Sequence, residues 1–198
     1  MTADARHLKS DANRRTPEHV LALAREVMGG IDLDPASDVE AQKVVKAKYW
    51  LGPGAPACKI EPNGLYWQWD LSEVKGRPAR VWLNPPGGVL DPKTLQPRPK
   101  GPGISSAAVW WAKLVHEYNA ERVSEALFLA FTLEVFRTGQ VFARPPQTFP
   151  FCIPRGRLRF PSSNGGTVNA PAAASAIVYL GPNVARFRSV FGQIGVCV

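Results

Sequence analysis

Residues 81–88 read VWLNPPGG, an apolar run that stops at an amide side chain and continues into two prolines and two glycines. Asn84 carries a carbonyl acceptor and an amide donor. Pro85 and Pro86 fix φ and have no N–H to give, so the turn after the run is stiff. Such a turn can aim the Asn84 side-chain oxygen and the Pro85 carbonyl at one amino group. Two acceptors would hold that group and draw its lone pair out of conjugation with an aromatic ring. An aromatic amine is a poor nucleophile, and this is the activation it needs. The competing reading is a proline-rich strand terminator, and the tripeptide by itself serves both.

Other candidate residues lie on either side of this turn. In IDLDPAS, Asp34-Pro35 ends a short apolar run. A carboxylate there can face a ligand, or it can act as a turn or helix-cap residue. Asn63-Gly64 is either a ligand contact or a plain turn. Thr16-Pro17 opens a helical pattern, with Thr16 as N-cap and Pro17 at the first helical position. In RGRLRF, Arg155, Arg157 and Arg159 are spaced two apart. An extended backbone would put them on one face, as a phosphate clamp or as a solvated strand face. Lys93, Arg98 and Lys100 belong to a Gly/Pro-rich loop over 87–104. His7, His19 and His116, with Cys58, Cys152 and Cys197, show no metal-ligand spacing, so no metal is expected.

These residues need elements to position them. Val20, Leu23, Ala24 and Val27 recur on one helical face in TPEHVLALAREVMGG, and Gly29 suits a left-handed C-terminal cap. IDLD follows as a short strand. DVEAQKVVKAKYW reads as a helix starting near Asp38, GPGAPACKIEPNG as a loop, and LYWQWD as strand or loop. RVWL is a short buried strand ending at Asn84. A structureless loop as long as 87–104 is functional or disordered. SSAAVWWAKLVHEYN is an amphipathic helix capped by Ser105 or Ser106. EALFLAF is a buried strand, and LEVFRTGQVF a short helix or turn. TFPFCIP, RLRF and AASAIVYL read as later strands, and PNVARFRSVFG as a final helix. Strands alternating with helices predict an α/β sheet with an antiparallel portion near the C-terminus.

Composition bounds the class. A chain of 198 residues with 45% hydrophobic content fits one domain with its own core, and it argues against disorder. The expected division is a polar tail over 1–15 and a single domain over 16–198. No apolar run is long enough to span a bilayer. MTADARHLKSDANRR has no apolar segment of the kind a secretory signal needs. Three scattered cysteines fit buried thiols in a reducing compartment better than a disulfide framework. The formal net charge is +8, and no acidic residue follows Glu134. That segment carries only arginine as its cation, and arginine suits phosphate recognition, so nucleic acid is the expected partner. A merely solvated basic surface is the alternative.

Taken in order, these pieces resemble the small, phage-type (Dam-like) DNA N6-adenine methyltransferases. TPEHV resembles that family's Thr-Pro start, DLDPAS its cofactor-binding strand end, and NGL with Trp67 and Trp69 its segment upstream of the catalytic strand. VWLNPPGG resembles its catalytic turn, and PRGRLRF with SAIVYLG its basic hairpin and late strand. The resemblance implies a compact Rossmann-like methyltransferase sheet and S-adenosylmethionine as cofactor. It also implies DNA as partner and a cytoplasmic setting in a bacterial or phage-infected host cell. By the resemblance, Asn84, Pro85 and Pro86 would bind and activate adenine N6. Thr16, Pro17, Asp34, Pro35 and Asn63 would hold the cofactor, with Asp34 and Pro35 near its amino-acid end.

Two positions depart from that pattern. Gly87 stands where the family carries an aromatic residue that stacks on the flipped base; Trp82, Trp110 or Trp111 are rings that could replace it, against a core-packing role. DPASDVEAQ has no glycine where larger methyltransferases carry a Gly-rich cofactor turn. The turn cannot choose among adenine N6, cytosine N4, RNA adenine and a glutamine amide, although the basic tail disfavours protein. A non-catalytic nucleic-acid-binding protein on a decayed scaffold is the reading from another class.

Overall fold

The central strands are apolar over most of their length, apart from Arg80, Ser124 and Glu125 near their starts, because a sheet covered on both faces needs both sets of alternating residues to be apolar. In the computed structural model, the described residues are 15–56, 63–98, 101–137, 143–160 and 174–198. The strands are β1 (Leu33–Asp34), β2 (Tyr49–Trp50), β3 (Ala79–Leu83), β4 (Val89–Leu90), β5 (Ile104–Ser105), β6 (Val123–Ala130), β7 (Phe151–Pro154), β8 (Ala176–Leu180) and β9 (Gly195–Cys197). The helices are α1 (Glu18–Met28), α2 (Val39–Val45), α3 (Ser72–Lys75), α4 (Ser106–Asn119) and α5 (Val184–Phe191).

A seven-stranded sheet runs in the order β2-β1-β3-β6-β8-β7-β9. β2, β1, β3 and β6 pair in parallel. The pairings of β6 with β8, β8 with β7 and β7 with β9 are antiparallel. The chain is therefore α/β, with the antiparallel portion near the C-terminus. On one face, Val81, Leu83, Ala126, Phe128, Val178 and Leu180 pack with Trp110, Trp111 and Leu114 of α4. On the other, Trp82, Leu127, Leu129, Ile177 and Tyr179 pack with α1 and α5.

One end of the sheet is pinned by charge. Asp32, fully buried, pairs with Lys75, Arg77 and Arg80 at 2.9, 2.7 and 2.8 Å. Burial alone would raise its pKa, but Arg80, Lys75 and Arg77 outweigh burial and hold the carboxyl well below the usual range. The cluster ties the start of β3 to the residue before β1. It leaves the opposite, carboxyl ends of both strands to the Asp34 and Asn84 turns.

Several local expectations need correction. Pro17, not Thr16, is the cap of α1, and no side chain caps that end. α2 ends at Val45 because Lys46 turns left-handed at φ 54, which frees Tyr49-Trp50 to become β2. RLRF joins no strand: Arg155 N–H still bonds the Ile194 carbonyl at 2.9 Å, but β9 begins at Gly195 and offers no partner further back. The stretch 87–104 is not structureless, since β4 and β5 pair as an antiparallel flap. The short α3 and the edge strand β9 were not expected. Ser105 caps α4, accepting from the Ala108 N–H. Cys152 and Cys197 are free thiols opposite one another on β7 and β9. Burial, then the neighbouring Cys197, pushes the Cys152 thiol up to about 12. Cys58 lies outside the described residues.

Candidate functional site

β1 leads through α2 to β2 on one side, while β3 lies on its other side. Such a change of direction opens a crevice beyond the carboxyl ends of the strands, the usual ligand position of an open α/β sheet. A cavity of about 360 Å³ occupies this place, within the range of about 300–1,000 Å³ typical of small-ligand sites. Its walls include Thr16, Asp34, Pro35, Asn63, Asn84, Pro85 and Pro86. Seven residues expected to form a site, drawn from four segments, therefore share one cavity. Pro17 does not line it; its carbonyl accepts from the Val20 and Leu21 N–H groups at the start of α1.

Asn84 follows directly after the buried end of β3. Its Nδ2 donates to the Thr16 hydroxyl at 3.3 Å. The side chain read from sequence as a helix cap is instead a partner of the amide. This contact sets the amide plane, with nitrogen toward Thr16 and the carbonyl oxygen on the opposite prong.

Asp34 is 3% exposed. Its carboxylate accepts from the Ala36 N–H at 3.3 Å and from Gln42 Nε2 at 3.0 Å. It is thus the turn residue of the bland reading and a cavity wall as well. Burial pushes its pKa up to about 7, with a smaller push from Asp38, against the hydrogen bonds from Ser37, Ala36 and Gln42. A cation placed beside this carboxyl would favour its charged form and offset the effect of burial.

The missing glycines of DPASDVEAQ are supplied by its neighbours. A Cβ on Gly52 would sit 1.7 Å from the Ser37 carbonyl oxygen, and one on Gly64 would sit 2.1 Å from that of Pro35. Both glycines permit backbone to press on backbone, so the turn after β1 is clamped from outside. Asn63 holds the second clamp in shape, its Oδ1 accepting from the Leu65 N–H at 3.0 Å.

The β4–β5 flap contributes Leu90, Leu95, Gln96 and Pro97 to the cavity. It is closed on itself by Arg98 N–H to the Val89 carbonyl and Asp91 N–H to the Gln96 carbonyl, each 2.9 Å. The Tyr66 hydroxyl donates to the Thr94 carbonyl and anchors the flap tip to the Asn63 turn. Of the rings considered in place of an aromatic at Gly87, Trp82 and Trp110 line the cavity and Trp111 does not. Trp111 is core: it packs edge-on against Phe128 and Phe149, and its indole N–H donates to the Arg144 carbonyl at 2.8 Å.

The expected phosphate contacts lie apart from the cavity walls. Arg155, Arg157 and Arg159 are exposed and alternate with buried Leu158 and Phe160. Arg157 and Arg159 border a second, shallow depression with His19 on the first turn of α1. Arg155 Nη1 donates to the Gln193 carbonyl at 3.2 Å. Lys93 is exposed on the flap, and Arg98 pairs with Asp91 at 3.4 Å. Lys100 lies outside the described residues. Among the described residues there is no group of three His, Cys, Asp or Glu side chains placed to hold a metal, and no helix long and apolar enough to cross a membrane.

No family model, curated protein or solved structure matches the chain. The site therefore stands on its geometry.

One wall residue was not foreseen as a ligand contact, and a second was foreseen only as a stacking ring. Arg15, assigned from sequence to the polar tail, lines the cavity, and its Nε is buried. Trp82 is fully buried on β3, and its Nε1 is buried as well. Neither atom has an acceptor among the described residues, and a buried donor left unpaired costs about 1–3 kcal/mol. For Arg15 the only sequence signal was position, directly before Thr16.

Proposed function

We propose that the chain is an S-adenosylmethionine-dependent methyltransferase acting on the N6 amino group of adenine in DNA. One observation carries this reading: a single cavity at the carboxyl ends of β1 and β3 joins Asp34-Pro35 to Asn84-Pro85-Pro86. The walls fit the cofactor's chemistry. The buried Asp34 carboxyl in the cavity wall suits its cationic groups. Apolar surface from Val44, Val45, Leu51 and Leu90 suits its adenosyl ring.

When bound, S-adenosylmethionine supplies a methyl group already activated on a sulfonium. The residues have only to bind and orient. Asn84 Oδ1 and the Pro85 carbonyl accept from the amino group and hold its lone pair out of the ring. Thr16 holds the Asn84 amide in the orientation this requires. Pro85 and Pro86 keep the turn stiff and place no competing donor in it. The flap walls one side of the cavity with Leu90, Leu95, Gln96 and Pro97. A target base inside a duplex must be flipped out to reach this turn, and the arginines at 155, 157 and 159 would hold the backbone. The proton leaves the amine after transfer, to solvent.

The test is methyl transfer from labelled S-adenosylmethionine to DNA, with the product digested to nucleosides. N6-methyladenine from the native chain, and none from Asn84→Ala, supports the reading. Methylcytosine would retain the site and replace the acceptor. A second reading, a non-catalytic nucleic-acid-binding protein on the same scaffold, rests on Gly87, which has no ring to stack on a base. Nucleic-acid binding by a chain that shows no calorimetric binding of S-adenosylmethionine would favour it.

A further inference from the structure

Cys152 on β7 and Cys197 on β9 are free thiols and cross-strand partners, and the reaction proposed above uses neither. The ladder fixes what kind of partners they are. Phe151 and Val198, one step out, exchange both backbone bonds: Phe151 N–H to the Val198 carbonyl at 3.2 Å, and Val198 N–H to the Phe151 carbonyl at 2.9 Å. Antiparallel pairs alternate, so Cys152 and Cys197 are the pair without backbone bonds, in which side chains stand closest. Such a pair holds its Cα atoms about 4.5 Å apart, inside the span of about 4.4–6.8 Å that a disulfide needs. Both side chains pack on the face of the sheet that carries α1 and α5. Cys152 Sγ donates to the Phe191 carbonyl at 3.4 Å, and the Cys197 thiol is its side-chain hydrogen-bonding neighbour. Gly195 leaves room for that sulfur, since a Cβ there would meet it at 2.4 Å.

We propose that Cys152 and Cys197 are a site of thiol–disulfide exchange, closed by a low-molecular-weight disulfide, and that the bond formed locks β9 onto β7. Cys152 is fully buried and Cys197 half-buried, so Cys197 meets the oxidant. Its thiolate attacks one sulfur of the small disulfide, forms a mixed disulfide and releases one small thiolate. The Cys152 thiolate then attacks the Cys197 sulfur, forms the cross-strand bond and releases the second. The protons given up by the two protein thiols go to the two released thiolates. The protein pair is oxidised and the small disulfide is reduced to two thiols. Burial and the neighbouring thiol keep the proton on Cys152, so the second attack is the slower one. The lock has a local consequence. β9 ends the sheet, and the chain entering it supports Arg155, which donates from its N–H to the Ile194 carbonyl and from Nη1 to the Gln193 carbonyl. The bond would fix the base from which the arginine-bearing segment departs.

The test is incubation of the native chain with oxidised glutathione, followed by non-reducing peptide mapping, thiol titration and thermal unfolding. Peptides bearing Cys152 and Cys197 should appear joined, with both thiols lost, and dithiothreitol should restore them. The joined chain should melt about 5–10 °C higher, because the bridge closes a long loop of the unfolded chain. Cys197→Ser, at the half-buried position, should show neither the joined peptides nor the shift. A bridge to Cys58, or an end point with glutathione on Cys197 and a free thiol at Cys152, overturns the site. A joined chain that melts no higher overturns the lock. Each of these outcomes leaves the methyltransferase reading where it stands.

Discussion

The Asn84 amide donates to the Thr16 hydroxyl across 3.3 Å, joining positions 68 residues apart. The bond ties the start of α1 to the end of β3 and orients the one side chain able to accept from an amino group at that turn. Asn84→Ala should abolish methyl transfer, by at least about 100-fold, because an acceptor aimed at the reacting group is lost. Melting should move by only a few degrees. Thr16→Val keeps the shape and removes the hydroxyl, and should slow transfer by about tenfold. Rates with DNA and S-adenosylmethionine, beside thermal unfolding, check both. A fully active Asn84→Ala protein would sink the assignment.

Gly64→Ala should disable the cofactor site. The added methyl would meet the Pro35 carbonyl oxygen at 2.1 Å, so the turn after β1 must move. A stability loss of about 1–3 kcal/mol is expected, together with loss of S-adenosylmethionine binding. Gly76→Ala is the control: its φ of 66 strains a side chain, but the space around it is open. It should cost about 1 kcal/mol and leave binding intact. Urea unfolding and calorimetry on the two variants separate a local clash from general strain.

Cofactor affinity should rise with pH up to about 7 and then level off. The Asp34 carboxyl holds its proton up to about pH 7 because it is buried. A cation beside it favours the carboxylate, so binding below pH 7 expels a proton, with a slope of at most about tenfold per pH unit. The unliganded fold shows the opposite trend. Its pKa lies above the 3.8 of the unfolded chain, so the native state binds the proton more tightly and stability falls between about pH 4 and 7. Asp34→Asn should flatten both dependences. Titrations from pH 5.5 to 8 that show no slope in the native chain would remove Asp34 from the ligand's contacts.

Asp32→Asn should destabilise the fold by about 3 kcal/mol at neutral pH, since it leaves three cations around a buried neutral group. Asp32 has a depressed folded pKa. Its stabilising contribution is therefore present above the unfolded value near 3.8 and lost as pH falls below it. The difference between native and variant stability should shrink in acid, which denaturant titrations at pH 7 and pH 3 can read.

The parts legible in sequence were those governed by one dominant constraint. Beyond Arg80 and Glu125, β3 and β6 are buried on both faces and apolar, so RVWL and EALFLAF could be read directly. α4 begins at a serine cap, and α1 ends at a left-handed glycine. What escaped depends on partners distant in the chain. Thr16 looks like a cap because caps are local, whereas its partner is Asn84. Gly52 and Gly64 look like loop residues until the turn they clamp is in view. The flap hides in a Pro/Gly-rich stretch because two-residue strands leave no periodicity to detect. RLRF alternates like a strand, yet the sheet offers it no further edge.

Among the described residues, the wall of the cavity is drawn from the chain up to Trp110, while the segment free of acidic residues begins only after Glu134. On the proposed function, the reacting turn and the arginines at 155, 157 and 159 therefore lie in separate parts of the chain, with Lys93 and Arg98 on the flap as the exceptions. On that proposal, substitutions among those arginines should change how firmly a polyanion is held without altering the chamber, so target preference and transfer rate should vary independently.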